Sequence, residues 1–428
     1  MLDPKFIREN PDKVRAALKD RNCDVSMVDR FQELDDLRRK LITETETLKK
    51  DKNEASKKIG ELIKNKGDVT EAKKEVAQIN ERIKDLDDKL REVETNFRSL
   101  LDMIPNVPHE SVPVGSSEED NLVVREWGSK KTFDFTPQDH VEIGKVCGLF
   151  DLERGSKVTG SFFPIFTGDG ARLERALINY MLDVHINEHG YRELFPPVLV
   201  NRKSMYGTGQ IPKLESDMYR IDEEDLFLIP TAEVPVTNYH ADETIPEEDL
   251  PLYYTAYTCC FRREAGSYGK DTRGLIRVHQ FDKVEMVKFC KPEDSMRELE
   301  KLVEDAEDIL KRLGLAYRVS ALCTFDLSFA AHKCYDIEIW APGTGKWLEV
   351  SSCSVFTDFQ ARRAGIKYQP ADRSAKAGYL HTLNGSGLAL PRLVIALVET
   401  YQTSEGAVEI PEELRPYFGG RSTIERRG

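Results

Sequence analysis

Arginines, carboxylates and glycines crowd three stretches of this sequence where a strand or helix would otherwise carry apolar side chains. The first, Cys260–Glu285, reads CFRREAGSYGKDTRGLIRVHQFDKVE. It predicts a strand, a polar Gly-rich loop and a returning strand, with Arg262, Arg263, Arg273 and Arg277 beside Glu264 and Glu285. An arginine entering a sheet interior needs an anionic partner, because an unpaired buried charge is costly. The fork of Arg262 suits two-point contact with a carboxylate or a phosphate. Phe281, between polar neighbours on the return strand, offers a stacking face to a purine. On its own this stretch also reads as a salt-bridged surface hairpin.

The second stretch, Trp347–Ser354 (WLEVSSCS), sets Glu349 and Ser352 in a strand-like run. Carboxylate and hydroxyl oxygens are the hard donors that Mg²⁺ takes. The third, His381–Gln402, runs HTLNGSGLALPRLVIALVETYQ. Asn384-Gly385-Ser386-Gly387 lets a backbone approach a ligand closely, and Pro391 fits a first helical turn. Arg392 then sits at a helix N-terminus, a natural phosphate site.

Other chemistries lack their signatures. Gly269-Lys270 is followed by Asp271 and Gly345-Lys346 by Trp347, so neither completes a phosphate-binding loop. No G-x-G-x-x-G opens a helix, and no G-x-S-x-G elbow is present. His185 and His189 have the spacing of a zinc helix without its glutamate, and read as ordinary helix residues. The eight cysteines form no C-x-x-C pair and read as reduced structural thiols.

The positioning elements are legible too. Residues 171–189 predict an amphipathic helix ending before Gly190, Pro292–Leu313 a second with Gly314 as its stop, and about Pro391–Gln402 a third. Strand-like runs are Leu194–Val200, Leu252–Arg262, Gln280–Phe289, Tyr335–Trp340 and Trp347–Ser352. Strands in blocks with long insertions predict an α+β fold with an antiparallel sheet.

Composition changes near residue 102. Residues 30–101 hold no Pro and two Gly. Val76, Ile79, Ile83, Leu86, Leu90, Val93, Phe97 and Leu100 alternate steps of three and four, a coiled-coil seam. Leu34, Leu41, Leu48, Ala55 and Leu62 recur every seventh residue, with Leu37 and Ile59 in a weaker second row. Asn65-Lys66-Gly67-Asp68 between the halves is a turn signal. The pattern predicts a long antiparallel helical coiled-coil hairpin, its arms about 35 residues and roughly 50 Å long. Residues 103–125 carry three Pro and read as a linker, which leaves 1–102 as an N-terminal domain and 126–428 as the mixed domain.

The chain's net charge of −13 excludes an indiscriminate nucleic-acid coat protein. The hairpin departs from that total, with 18 Lys and Arg against 17 Asp and Glu. Residues 49–74 around the turn hold nine lysines, among them Lys49, Lys50, Lys57, Lys58, Lys73 and Lys74, against five acids. A charge run on a helix is normally a solvated face; on a protruding arm a positive tip suits phosphate contacts. No apolar run approaches the ~20 residues that span a bilayer, and the polar start MLDPKFIRENPDKVR is no secretory signal. A cytoplasmic protein without membrane contact is expected.

At these residues the sequence resembles a family. FRREAGSYGKDTRGLIRVHQFDKVE looks like motif 2 of the class II aminoacyl-tRNA synthetases and NGSGLALPR like motif 3. ELFPPVLVNRKSMYGTGQIPK, with Pro196-Pro197, looks like motif 1 and the segment after it. Over essentially the whole chain the resemblance is to seryl-tRNA synthetases of the bacterial type. The hairpin corresponds to that family's tRNA-binding arm and PTAEVP (230–235) to its serine-binding loop. The class I signatures H-I-G-H and K-M-S-K-S are missing.

The resemblance implies ATP-dependent activation of L-serine to seryl-adenylate and transfer to tRNA(Ser), with tRNA(Sec) a possible second acceptor. It implies ATP as substrate, Mg²⁺ as cofactor and a homodimer. Arg262, Glu349 and Arg392 become the catalytic residues. The nucleotide would meet Arg262, Arg263, Glu264, Arg277, Val278, Phe281, Arg392 and the segment Glu349, Val350, Ser351, Ser352, with Glu349 and Ser352 holding the metal. Serine would meet Thr231, Ala232, Glu233, Arg262, Glu285, Asn384 and Ser386. The loop Glu264–Arg277 is expected to touch the tRNA acceptor end. The chain departs from the family pattern at Cys259, Phe325, Ser328, His332, Val355 and Pro391, and Phe325 puts a large side chain where one near the substrate pocket is usually absent. Two alternatives stay open: a synthetase paralogue that charges a carrier other than tRNA, and a non-catalytic RNA-binding coiled-coil protein.

Overall fold

The heptad seam becomes two antiparallel helices, Met27–Lys64 (α1) and Thr70–Met103 (α2), in a computed structural model that describes residues 1–265 and 272–427. Ion pairs Arg38–Glu94, Lys49–Asp87 and Arg82–Glu44 join the two arms. On α2, Ile83, Leu86, Val93, Phe97 and Leu100 are buried, while Val76 and Ile79 nearer the turn are half-buried. The first arm departs from its expected second row. Leu37 is 45% exposed, and the inward position belongs to Asp35, whose carboxylate accepts from Arg8 Nε at 2.6 Å. A paired carboxylate can occupy such a seam because the guanidinium satisfies it. At the turn, Lys66 rather than Gly67 takes the left-handed conformation, and Asp68 accepts from the Thr70 amide at 2.9 Å.

Leu2–Pro105 forms one compact unit; the chain from Asn106 onward builds another around an eight-stranded sheet. In chain order its strands are Leu122–Trp127 (β1), Arg192–Glu193 (β2), Leu252–Phe261 (β3), Gln280–Cys290 (β4), Tyr317–Ala321 (β5), Lys333–Ala341 (β6), Lys346–Thr357 (β7) and His381–Ala389 (β8). They lie in the order β1-β5-β6-β7-β8-β4-β3-β2. Neighbours are antiparallel except the short edge strand β2, which runs parallel to β3.

Strand alternation gives the two faces of this sheet different work. On β4, Val284, Met286 and Cys290 enter the main core with helices Asp169–Asn187 (α3), Ser295–Arg312 (α4) and Leu390–Thr400 (α5). The buried ridge of α4, Leu299, Leu302, Val303, Ala306, Ile309 and Leu310, follows the helical i, i+3, i+4 spacing, and each buried Leu or Ile contributes ~1.5–3 kcal/mol. Lys288 shares that face, fully buried, with Nζ 3.5 Å from Glu298 and 3.4 Å from Asp305. Phe281, Lys283 and Glu285 point the other way, into a cavity.

Several expected elements shift. Leu194–Val200 is not one strand: β2 ends at Glu193 and a separate short strand begins at Leu199, because Pro196 and Pro197 have no N–H to give a ladder. Pro292–Asp294 forms a 3₁₀ turn before α4, and α5 ends at Thr400. Residues 103–125 are not a free linker. Asn106, buried, donates through Nδ2 to the carbonyls of Ala330 (2.9 Å) and Phe356 (2.8 Å), and β1 pairs along β5. β1 hid in the sequence because all six of its residues are exposed, so no alternation marks it. His185 is a helix residue, whereas α3 ends at Asn187 and His189 lies just beyond it; the two rings bond each other, and His185 also meets the Gly387 carbonyl at 2.9 Å. No helix of the described residues is long and apolar enough to cross a membrane.

Candidate active site

The cavity on the open face of β4 has a volume of about 490 Å³. Its floor is a buried polar triangle. Thr231 Oγ1 accepts from Lys283 Nζ at 2.8 Å and donates to Glu285 Oε2 at 3.2 Å, while Lys283 and Glu285 pair closely. Glu285 also sits opposite Ser386 on β8. Glu233 lies beside this triangle, its Oε1 accepting from Gln360 Nε2 at 2.6 Å. Burial first, and the charge of Glu285 second, push the Glu233 carboxyl up to about 7, against the pull of its bonds to Gln360 and Asn384. Gln360 is satisfied at its other end, where Oε1 accepts from Thr382 Oγ1 at 2.7 Å.

The other end of the cavity is cationic and aromatic. The Arg262 guanidinium lies 5.3 Å from the centre of the Phe281 ring, and its Nε donates to the Pro230 carbonyl at 3.3 Å. Arg392, in the first turn of α5, donates to the main-chain oxygen of Glu349 at 2.8 Å and to its carboxylate at 3.2 Å. Arg277 pairs closely with Glu264. Each arginine thus has a carboxylate or carbonyl that holds its fork toward the cavity.

Glu349 and Ser352 are three apart, and in a regular strand they would face opposite ways. The register of β6 against β7 slips at this point: Ile337 pairs with Ser351 and Glu338 with Glu349, which leaves Val350 as the extra residue of a bulge. Val350 and Ser351 consequently both turn to the core, and Glu349 and Ser352 share the cavity face. Asp336 stands opposite Ser352, its carboxyl pushed well up by burial and then by the charge of Glu349. Among the described residues no three His, Cys, Asp or Glu side chains gather as a metal cage. A carboxylate and a hydroxyl fit Mg²⁺, which keeps much of its shell in water and phosphate oxygens.

Most expected residues meet in this cavity: Thr231, Glu233, Arg262, Glu264, Arg277, Val278, Phe281 and Glu285 from one side. Glu349, Val350, Ser351, Ser352, Asn384, Ser386 and Arg392 close the other. Ser351, however, spends its hydroxyl on the Ser386 carbonyl at 2.6 Å, and the Val350 side chain is core. Two expected residues lie outside. Ala232 is wholly buried in an apolar cluster with Val236 and Ala256, and Arg263 is exposed, donating to the Ser216 carbonyl at 3.4 Å. Phe325 also lies outside the lining, 45% exposed, so its bulk leaves the pocket open; Ser328 and Pro391 do line it. Lys283 in the lining, and Gln360 and Asp336 behind Glu233 and Ser352, are residues that the sequence did not single out. Residues 266–271 of the loop expected at the acceptor end lie outside the described residues. In the N-terminal unit, Lys49, Lys50, Lys57, Lys58, Lys73 and Lys74 are all exposed.

An antiparallel sheet that presents arginines from the loop joining two neighbouring strands and from a helix N-terminus to one cavity defines the core of a class II aminoacyl-tRNA synthetase. Residues 214–401 match the family model of the tRNA synthetase class II core domain (G, H, P, S and T), and residues 1–108 that of the seryl-tRNA synthetase N-terminal domain. The serine–tRNA ligase of Geobacillus kaustophilus (strain HTA426) is 57% identical over 424 residues, 99% of this chain and 100% of that one. The seryl-tRNA synthetase of Pyrococcus horikoshii, solved in complex with ATP, superposes with a TM-score of 0.94 at 37% identity over 100% of both chains. The cytoplasmic serine–tRNA ligase of Naegleria fowleri, solved with AMP, gives 0.89 at 31% identity over 100% of this chain and 99% of that one. The chain belongs to the seryl-tRNA synthetase family. Its match to that family's N-terminal domain sets it apart from an armless paralogue, and the class II core favours an enzyme over a non-catalytic RNA-binding protein.

Proposed function

We propose that the cavity joins L-serine to ATP and passes the seryl group to tRNA(Ser), and to tRNA(Sec) where that acceptor is present. What carries this reading is the sharing of one 490 Å³ cavity by two unlike ends: the Thr231, Glu233 and Glu285 cluster, and the Arg262, Phe281 and Arg392 set. A serine carboxylate oxygen attacks the α-phosphorus, and the bond to the departing pyrophosphate breaks. The carboxylate is already ionised at neutral pH, so catalysis rests on alignment and on neutralising phosphate charge. Arg262 bridges the α-phosphate and the serine carboxylate, Phe281 stacks on adenine, Glu264 contacts its edge, and Arg277 and Arg392 meet phosphate oxygens. Glu349 and Ser352 would hold Mg²⁺, which supplies further positive charge to the phosphates.

Glu233, Glu285, Asn384 and Ser386 accept from the ammonium and hydroxyl of serine. Alanine keeps the ammonium but leaves the acceptor of the hydroxyl unpaired, at ~1–3 kcal/mol, whereas the methyl of threonine must be excluded by lack of room. In the second step a ribose hydroxyl of the tRNA end attacks the seryl carbonyl carbon and AMP leaves. The lysines at 49–74 contact tRNA phosphates, and the active form is a cytoplasmic homodimer. Amino-acid-dependent ATP–pyrophosphate exchange across the twenty amino acids, then charging of tRNA(Ser), tests the reading. Exchange with serine alone and charging of tRNA(Ser) are expected; background exchange in a folded sample refutes it.

A further inference from the structure

A second cavity, of about 260 Å³, opens on the helix side of β4, where Gln280 and Asp282 point away from the first. Glu174 of α3 lines it, only 6% exposed, and its Oε2 has no hydrogen-bond partner among the described residues. Asp282 stands on the same wall, its Oδ1 held by the Tyr257 hydroxyl (3.0 Å) and the Cys259 thiol (3.1 Å). Among the described residues no lysine, arginine or histidine lines this cavity, and much of the remaining wall is aromatic: Phe163, Phe166 and Phe281. Burial, helped by the charge of Asp282, pushes the Glu174 carboxyl well above the usual carboxylate range. Such a group persists as a neutral acid until a cation is brought to it.

We propose that this cavity is a binding site for an organic cation, a guanidinium or primary ammonium group, held by Glu174 and Asp282 and flanked by aromatic rings. Guanidinium donates to carboxylate oxygens with two parallel N–H groups, and the ring faces attract its charge. The same chemistry arrives either on a small molecule or as an arginine or lysine side chain of a second copy of this chain. Binding displaces the proton of Glu174, so affinity rises with pH. Asp282 is the other charged group on the wall, and Tyr257 and Cys259, both pushed up by burial, stay neutral in the working range. Phe281 and Pro391 also line the first cavity, so a seated cation is expected to change the KM for ATP. That last expectation rests on the nucleotide reading of the first cavity; the binding itself does not.

Methylguanidinium chloride is titrated calorimetrically into the full chain at pH 6 and pH 8.5, against NaCl of equal ionic strength, with Glu174→Gln and Glu174→Met alongside. For a free small cation, wild type binds saturably and about tenfold or more tighter at the higher pH, and both variants lose at least about tenfold in affinity. For a side chain of a second copy, wild type takes up no methylguanidinium and E174Q self-associates at least about tenfold more weakly in sedimentation. Equal methylguanidinium affinity together with equal self-association in wild type and E174Q overturns the proposal. Melting temperatures at or above wild type show that the variants fold. Serine-dependent exchange, run on the same samples, separates the two readings: exchange together with no effect of E174Q on methylguanidinium binding or self-association refutes this site alone, and cation binding without exchange refutes the first cavity's reading alone.

Discussion

Replacing Gln360 with leucine tests how the candidate serine pocket keeps Glu233 an acceptor. Gln360, in the helix Phe359–Ala364, is 1% exposed and donates to Glu233 Oε1 at 2.6 Å and to the Thr208 carbonyl at 3.1 Å. A hydrogen bond to a charged group contributes ~1.5–3 kcal/mol. At about 1.36 kcal/mol per pH unit, its loss moves the titration of Glu233 up by about one to two pH units from its position near 7. The variant therefore carries a protonated Glu233 over the neutral range. Serine kcat/KM in ATP–pyrophosphate exchange is expected to fall roughly 10- to 100-fold at pH 7, with the KM for ATP within about twofold of wild type. In wild type the serine kcat/KM falls as pH drops through about 7; in the variant that midpoint moves up, and alkaline pH restores much of the rate. Stability is linked to the same proton. The folded state binds it more tightly than the unfolded chain, so the contribution of Glu233 to stability declines as pH rises from the ordinary 4.5 toward 7. A folded Gln360→Leu variant with the wild-type midpoint would sink this account of Glu233.

Arg262→Ala is expected to lower exchange by about 10²–10³, the effect of losing one charge-stabilising donor set, and Arg262→Lys to recover only part of it because the fork is gone; single-turnover rates decide. Excising residues 45–87 and closing the arms with a short turn is expected to leave exchange within about twofold, while tRNA charging falls at least about tenfold. Glutamine at Lys57, Lys58, Lys73 and Lys74 should flatten the salt dependence of tRNA binding by up to roughly 3 in log–log slope, read by filter binding at several ionic strengths. Lys288→Met leaves Glu298 and Asp305 without their buried countercharge and is expected to cost ~3–5 kcal/mol in urea unfolding.

What was legible in the sequence depended on how local the cause was. Phe281 and Glu285 on the return strand and the seam from Ile83 to Leu100 each lie within one element, and each is found where expected; Gly385 and Gly387, expected to let the backbone approach a ligand, instead give room to Cys353 and His185. Lys283 passed unnoticed because a lysine on a strand ordinarily reaches solvent; here Thr231 and Glu285, brought from a loop and the same strand, retain it. Gln360 reaches Glu233 across 127 positions of chain, which no spacing predicts. Glu349 and Ser352 share a face only through the bulge at Val350, and a bulge leaves no mark in the residue pattern. β1 and Leu37 fail for one common reason: apolar residues left exposed break the link between hydrophobicity and direction.

The burial of the hairpin seam thins from base to tip, from Val93, Phe97 and Leu100 to the half-buried Val76, Ala72 and Leu62. Amide exchange should therefore run as a gradient along the arm, slow near Phe97 and fast near Asn65, with opening of the last turns needing little free energy. The arm is stiff where it is anchored and compliant where it ends. Because those last turns bury so little, residues can be gained or lost there without disturbing the register held by the base. Its length and tip charge are thus free to diverge among relatives faster than the sheet that performs the chemistry.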